Sequence, residues 1–206
     1  LTAQLPSLAS GGDTLTLSRA SSGTSGSAVS LSGLLGSGFD AQVQLTLNGV
    51  VYSASARDLL QNTTPKAWLS GPLVSEWLVG GPVKTAGGAA HPHLTAYFYV
   101  RAYAGYQRVR VDTVVENGWS FVSGPSNQTY DVSLTIGGNV AYSRSALTHY
   151  HHARWHKVYW WGSTPQVYAK LDYHYLQDSK AIPKYEELTP SEGYLNSVRR
   201  STEPID

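Results

Sequence analysis

Four of the seven histidines and three of the six tryptophans fall in one stretch, Thr148-His149-Tyr150-His151-His152-Ala153-Arg154-Trp155-His156-Lys157-Val158-Tyr159-Trp160-Trp161-Gly162. Three chemistries fit it. The first is metal binding: on a strand, His149 and His151 share one face and Tyr150 and His152 the other. Two neutral imidazoles are half of a zinc site, which His156, or the distant His91 and His93, would complete. The spacing matches no HExxH-type signature. Imidazoles that cap turns, bond backbone carbonyls and stack on tyrosines account for it more simply, so neither a metal nor another cofactor is expected.

The second chemistry is acid-base catalysis. Histidine titrates nearest neutrality, and Arg154 or Lys157 beside it would steady the anion formed when a proton next to a uronate carboxylate is removed. His149, His151, Tyr150 and Arg154 are then the catalytic candidates, with Tyr159 an alternative to Tyr150. No paired carboxylates, GxSxG or phosphate loop accompany them, and a structural histidine cluster is the stronger account. The third chemistry is sugar recognition, in which Trp155, Trp160, Trp161, Tyr97, Tyr99 and Tyr103 offer flat amphipathic surfaces, with His152 among the hydrogen-bonding partners. Adjacent Trp160 and Trp161 must point to opposite faces of a strand, so one of them belongs at a rim or an interface.

The elements that position these residues read as strands. Of 206 residues only 14% are charged, while Gly, Ser, Thr, Tyr and Val are abundant, which favours pleated strands and tight turns. Lys and Arg number 15 against 14 Asp and Glu, so no whole-chain field attracts nucleic acid. No apolar run is long enough to span a membrane. Zero Cys removes disulfides, thiolate metal sites and a thiol nucleophile together. The sequence opens at Leu1 and holds no Met, as expected of a processed piece or fragment. Asn62-Thr63-Thr64 and Asn127-Gln128-Thr129 are glycosylation sequons.

Residues 1–40 alternate in short runs, Thr14 to Leu17 and Ala28 to Leu31, between Gly/Ser clusters, and read as edge strands or a lead-in from a neighbouring domain. Val43 to Leu47, Asn48-Gly49 and Val50 to Ala54 form a type I′ hairpin. Trp68-Leu69 and Leu73 to Val79 make a second pair. His93 to Tyr103 turns Leu94, Ala96, Phe98, Val100 and Ala102 to one face and its tyrosines to the other, and Arg108 to Glu116 returns as its antiparallel partner. Tyr130 to Ile136 and Val140 to Ala146 form a third hairpin. Val43, Leu45-Thr46, Gly49, Val50 and Tyr52-Ser53 recur there as Val132, Leu134-Thr135, Gly138, Val140 and Tyr142-Ser143, with one residue inserted at the turn. We read a duplicated hairpin-plus-strand unit, 43–79 and 132–173, in an all-β antiparallel sandwich over residues 1–176. Gln166 to Leu176 is the last strand. Residues 177–206 turn polar and read as an extended arm that lies on a neighbour, links to a following domain, or forms a short helix near Ser191 to Val198.

Pro92-His93-Leu94-Thr95, Val115-Glu116-Asn117 with Trp119, Leu147 through Trp155, Trp160-Trp161-Gly162 and Ala181-Ile182-Pro183 carry a resemblance over residues 70–185. The chain is similar there to a β-rich domain near the front of large bacterial and phage-associated proteins related to exo-acting rhamnogalacturonan lyases. In those proteins the domain precedes a helical toroid and is accessory or substrate-contacting. The resemblance implies a non-catalytic structural or carbohydrate-contacting module of a larger extracellular or virion assembly, and transfers no catalytic residue. Its partners would be a polysaccharide or neighbouring protein subunits. Two alternatives are a fragment of a polysaccharide lyase or hydrolase, and a capsid, tail or fibre subunit that packs, also as a homo-oligomer, through its C-terminal arm.

Overall fold

The computed structural model describes residue 9, residues 25–165 and residues 173–182. The chain divides at Pro165 into two compact units. The first contains α1 (Leu31–Gly36), β1 (Ala41–Leu47), β2 (Val50–Ser55), α2 (Ala56–Asn62), β3 (Lys66–Leu69), β4 (Val74–Lys84), β5 (Ala90–Tyr103), β6 (Arg108–Asn117), β7 (Gln128–Ile136), β8 (Asn139–His149) and β9 (Ala153–Gly162). The second contains α3 (Tyr173–Asp178).

Among the described residues all nine strands belong to one antiparallel sheet, in the order β8-β7-β1-β2-β4-β5-β6-β9, with β3 added on β4. The fold is therefore all-β and sandwich- or barrel-like, as the two-residue periodicity predicts. β5 buries Leu94, Ala96, Phe98, Val100 and Ala102 on one face, and β6 buries Val109, Val111 and Val115 beside them. β1 and β7 complete the interior with Val43, Leu45, Val132 and Leu134. The sheet curls until its two ends meet side chain to side chain. From β9, Trp155 packs on Tyr142 of β8, and Trp161 packs edge-on against Phe39, with ring centroids 6.3 and 6.0 Å apart. Apolar area removed from water drives this closure, each fully enclosed large side chain contributing about 1.5–3 kcal/mol.

The two similar hairpins lie side by side. β1 pairs antiparallel with β7, Val43 facing Leu134 and Leu45 facing Val132, so a local pseudo-twofold axis exchanges them. Both turns use two positive-φ residues, Asn48 and Gly49 in one, Gly137 and Gly138 in the other. The extra residue of the second copy is absorbed not in the turn but one step later, where the register shifts between Leu134 and Thr135. Beyond the shift the copies realign: Tyr52 faces Leu45 and Tyr142 faces Leu134. After the hairpins the neighbours differ, β3 joining β4 and β9 joining β6. Residues 166–172 of the second copy lie outside the described residues, as do the run Thr14 to Leu17 and the arm from residue 183 onward, including the helix expected near Ser191.

Three local expectations are corrected. Ala28 to Leu31 forms no strand. Ser30 instead caps α1, its hydroxyl accepting from the Gly33 N–H, because Leu31, Leu34 and Leu35 follow helical rather than alternating spacing. Tyr173 to Leu176, read as the end of a strand, opens α3, whose carbonyls at Tyr175, Leu176 and Gln177 are satisfied locally by the N–H groups of Ser179, Ala181 and Lys180. Residues 150–152 are a corner rather than a strand. The sequence reading also passed over α2. Ser55 caps it, Ala56 and Leu60 bury its inner face, and Arg57 donates to the carbonyls of Leu35 and Phe39.

Candidate functional site

β8 ends at His149 and β9 begins at Ala153, so the chain turns a corner in three residues, with His152 in the left-handed region at φ 62°. A polar network holds that corner. The His149 Nε2–H donates to the Ala153 carbonyl at 2.9 Å, since a carbonyl can only accept. Nδ1 is then the acceptor, and the Tyr130 hydroxyl donates to it at 2.8 Å. The Trp155 Nε1–H in turn donates to the Tyr130 oxygen at 2.8 Å. Burial pushes the His149 pKa down and the Tyr130 pKa up, so both stay neutral. Asn117, fully buried at the end of β6, ties the surrounding loops. Its side-chain amide N–H groups donate to the carbonyls of Ser126 and His149, and its backbone carbonyl accepts the His152 N–H.

This geometry decides where the candidate residues stand. His149 has both ring nitrogens engaged and is buried. The ring of His151 lies against His152 at 3.8 Å, and the His151 backbone N–H donates to Oδ1 of Asn127, the sequon asparagine. His156 lies on the outer face of the sheet, bonded to Asp112 at 3.1 Å. The three imidazoles named for a metal do not converge, and no cluster of three or more metal-ligating side chains occurs among the described residues. His91, near the start of β5, accepts the N–H groups of His93 and Leu94 on Nδ1, and burial, reinforced by His93, lowers its pKa. Tyr150 is exposed at the corner. Of the catalytic candidates, Arg154 lines an open groove whose lining does not include His149, Tyr150 or His151. Trp155 and Trp161, named for sugar contact, turn inward.

Four of the named aromatics do face outward. Tyr97, Tyr99 and Tyr103 alternate along the outer side of β5, and Trp160 stacks on Tyr103 with centroids 5.8 Å apart. Tyr99 packs beside Trp68, which is 59% exposed under Lys66. At the corner end of the same face lies an open groove of about 350 Å³ lined by Tyr97, Glu116, Trp119, His152 and Arg154. The register builds it: Glu116 and Arg154 are directly opposed on β6 and β9 and form an ion pair at 3.5 Å, with Tyr97 diagonal to them. Burial, then the neighbouring Glu116 charge and hydrogen bond, raises the Tyr97 pKa. Gly80 faces Tyr97 on β4, and a Cβ there would collide with the ring, so glycine is what lets the phenol lie over the strand. Trp119 overhangs the groove, 53% exposed, its Nε1–H anchored on Thr95 Oγ1 at 2.9 Å.

Sequence reasoning placed Tyr97, His152 and Arg154 among its candidates. Glu116, Trp119 and Gly80 it did not count as site residues. Only the resemblance drew attention to Glu116 and Trp119, and cross-strand register is what assembles them. Comparison with known proteins adds nothing to this geometry. No family model, curated protein or solved structure matches the chain.

Proposed function

We propose that this chain is a non-catalytic, carbohydrate-contacting β module of a larger extracellular or virion assembly. The observation that supports it is the groove between Trp119 and the Glu116–Arg154 pair. It sets an anchored, exposed indole beside a carboxylate, a guanidinium and a phenol, which is the division of apolar face and hydrogen-bonding rim that a sugar ring presents. The row Tyr97, Tyr99 and Tyr103 with Trp160 extends this surface along the strand direction, as a polymer longer than one residue requires. The resemblance to the β domain of rhamnogalacturonan-lyase-related proteins points the same way.

Among the residues lining the groove Glu116 is the sole acid, so the paired carboxylates of glycoside hydrolysis are missing from it. One observation favours a second reading, that of a lyase or hydrolase fragment. Tyr97 lines the groove together with Glu116 and Arg154, a titratable group next to a cation. Affinity electrophoresis of the chain in gels cast with soluble polysaccharides tests both readings. Retardation that is lost in Trp119→Ala, with no reducing-end or unsaturated product released, supports the module. Release of product that is lost in Tyr97→Phe supports the enzyme.

A further inference from the structure

Trp119 is held by a buried partner: its N–H donates to the hydroxyl of Thr95, a residue 5% exposed. The polar edge of the indole is therefore turned into the protein, and what remains in solvent is ring carbon. Such a platform is pre-ordered and loses little side-chain entropy when covered. Below it the charges cancel. Glu116 and Arg154 are the two formal charges among the lining residues and are paired with each other. The Glu116 side chain keeps 30% of its exposure and the Arg154 side chain 71%, so each has a free edge for a ligand.

We infer that this groove takes a neutral pyranose through two adjacent hydroxyl groups and disfavours uronates, an assignment that rests on the carbohydrate reading above and names its sugar class. One hydroxyl donates to Glu116 and its neighbour accepts from Arg154, and the ion pair stays together while both are used. The C–H face of the ring lies on Trp119. A uronate carboxylate has no such arrangement. Bound on the free edge of Arg154 it would sit beside Glu116, two carboxylates sharing one guanidinium in a partly desolvated groove.

Calorimetric titration of the full chain with gluco-, manno- and galacto-oligosaccharides, and in parallel with oligogalacturonates, reads this directly. At least one neutral series is expected to bind about tenfold more tightly than the uronates. Trp119→Ala is expected to weaken it by a similar factor with an unchanged unfolding midpoint. Glu116→Gln removes the opposing charge, and uronate affinity should rise. Trp119-dependent binding that favours oligogalacturonates overturns the neutral-sugar assignment and leaves the carbohydrate reading standing. A preference unaltered in Glu116→Gln likewise overturns the charge argument alone. Absence of Trp119-dependent binding to either series overturns both.

Discussion

His149 shows how much one neutral imidazole organises. Its proton sits on Nε2 because the Ala153 carbonyl needs a donor, and the Trp155 to Tyr130 to His149 chain runs in one direction as a result. A second proton on Nδ1 would face the Tyr130 hydroxyl and cost that bond. At His91 a second proton would displace two backbone N–H donors. Both groups have a pKa lowered in the fold from the ordinary 6.5, so the unfolded chain binds more protons below that value. Their contribution is intact above about pH 6.5 and declines as the pH falls below it. Urea unfolding at pH 8 and pH 5 should show the lower midpoint at pH 5, and equal midpoints would contradict the neutral assignment. Tyr130→Phe strands the Trp155 N–H and the His149 acceptor, and should cost about 1–3 kcal/mol at neutral pH. The stretch around His149 was conspicuous in the sequence and its structural role was the preferred account. Tyr130 was not conspicuous. It opens an inward set continued by Val132, Leu134 and Ile136, and the only clue was that a buried phenol must find a partner.

Among the elements, the hairpins were the most legible, since alternation and turn glycines determine face and corner together. Two copies of one hairpin also predict like shapes, and the shared register across β1 and β7 shows them. What alternation cannot encode is the neighbour across the sheet. Glu116 and Arg154 are 38 positions apart in the sequence, and their pairing exists because β6 and β9 are adjacent. Helices α1 and α2 were hidden for a different reason: each is fewer than eight residues and is fixed by a serine cap and burial rather than by a long apolar stripe. Gly162 shows the backbone's part in placing β9. It closes the strand at φ 76°, and a Cβ there would run into the Gln107 carbonyl oxygen, which also receives the Ser163 N–H. Gly162→Ala should therefore cost roughly 1–3 kcal/mol. Gly118→Ala, with open space around it and no positive φ, should stay within about 0.5 kcal/mol. Thermal denaturation of the two variants compares them.

At the scale of the whole first unit, the sheet closes without a ladder between its two ends, because β8 and β9 are terminal strands joined by a corner. Side chains hold that seam: Trp155 on Tyr142 and Tyr130, and the Lys157 ammonium over the Tyr142 ring at 4.8 Å. Trp155→Ala should lower stability by roughly 2–4 kcal/mol, somewhat under the loss at a fully enclosed tryptophan. Hydrogen exchange should accelerate in β9 before it does in β5. Uniform acceleration across the sheet would show that the seam is not the weak line. The same wiring governs how the molecule assembles in time. Each Gly-cornered hairpin can zip locally within microseconds, yet Val43 meets Leu134 only after roughly ninety intervening residues have been gathered in. Refolding should therefore be slow and late-committing, with the axis between β1 and β7 as its final docking step rather than its nucleus.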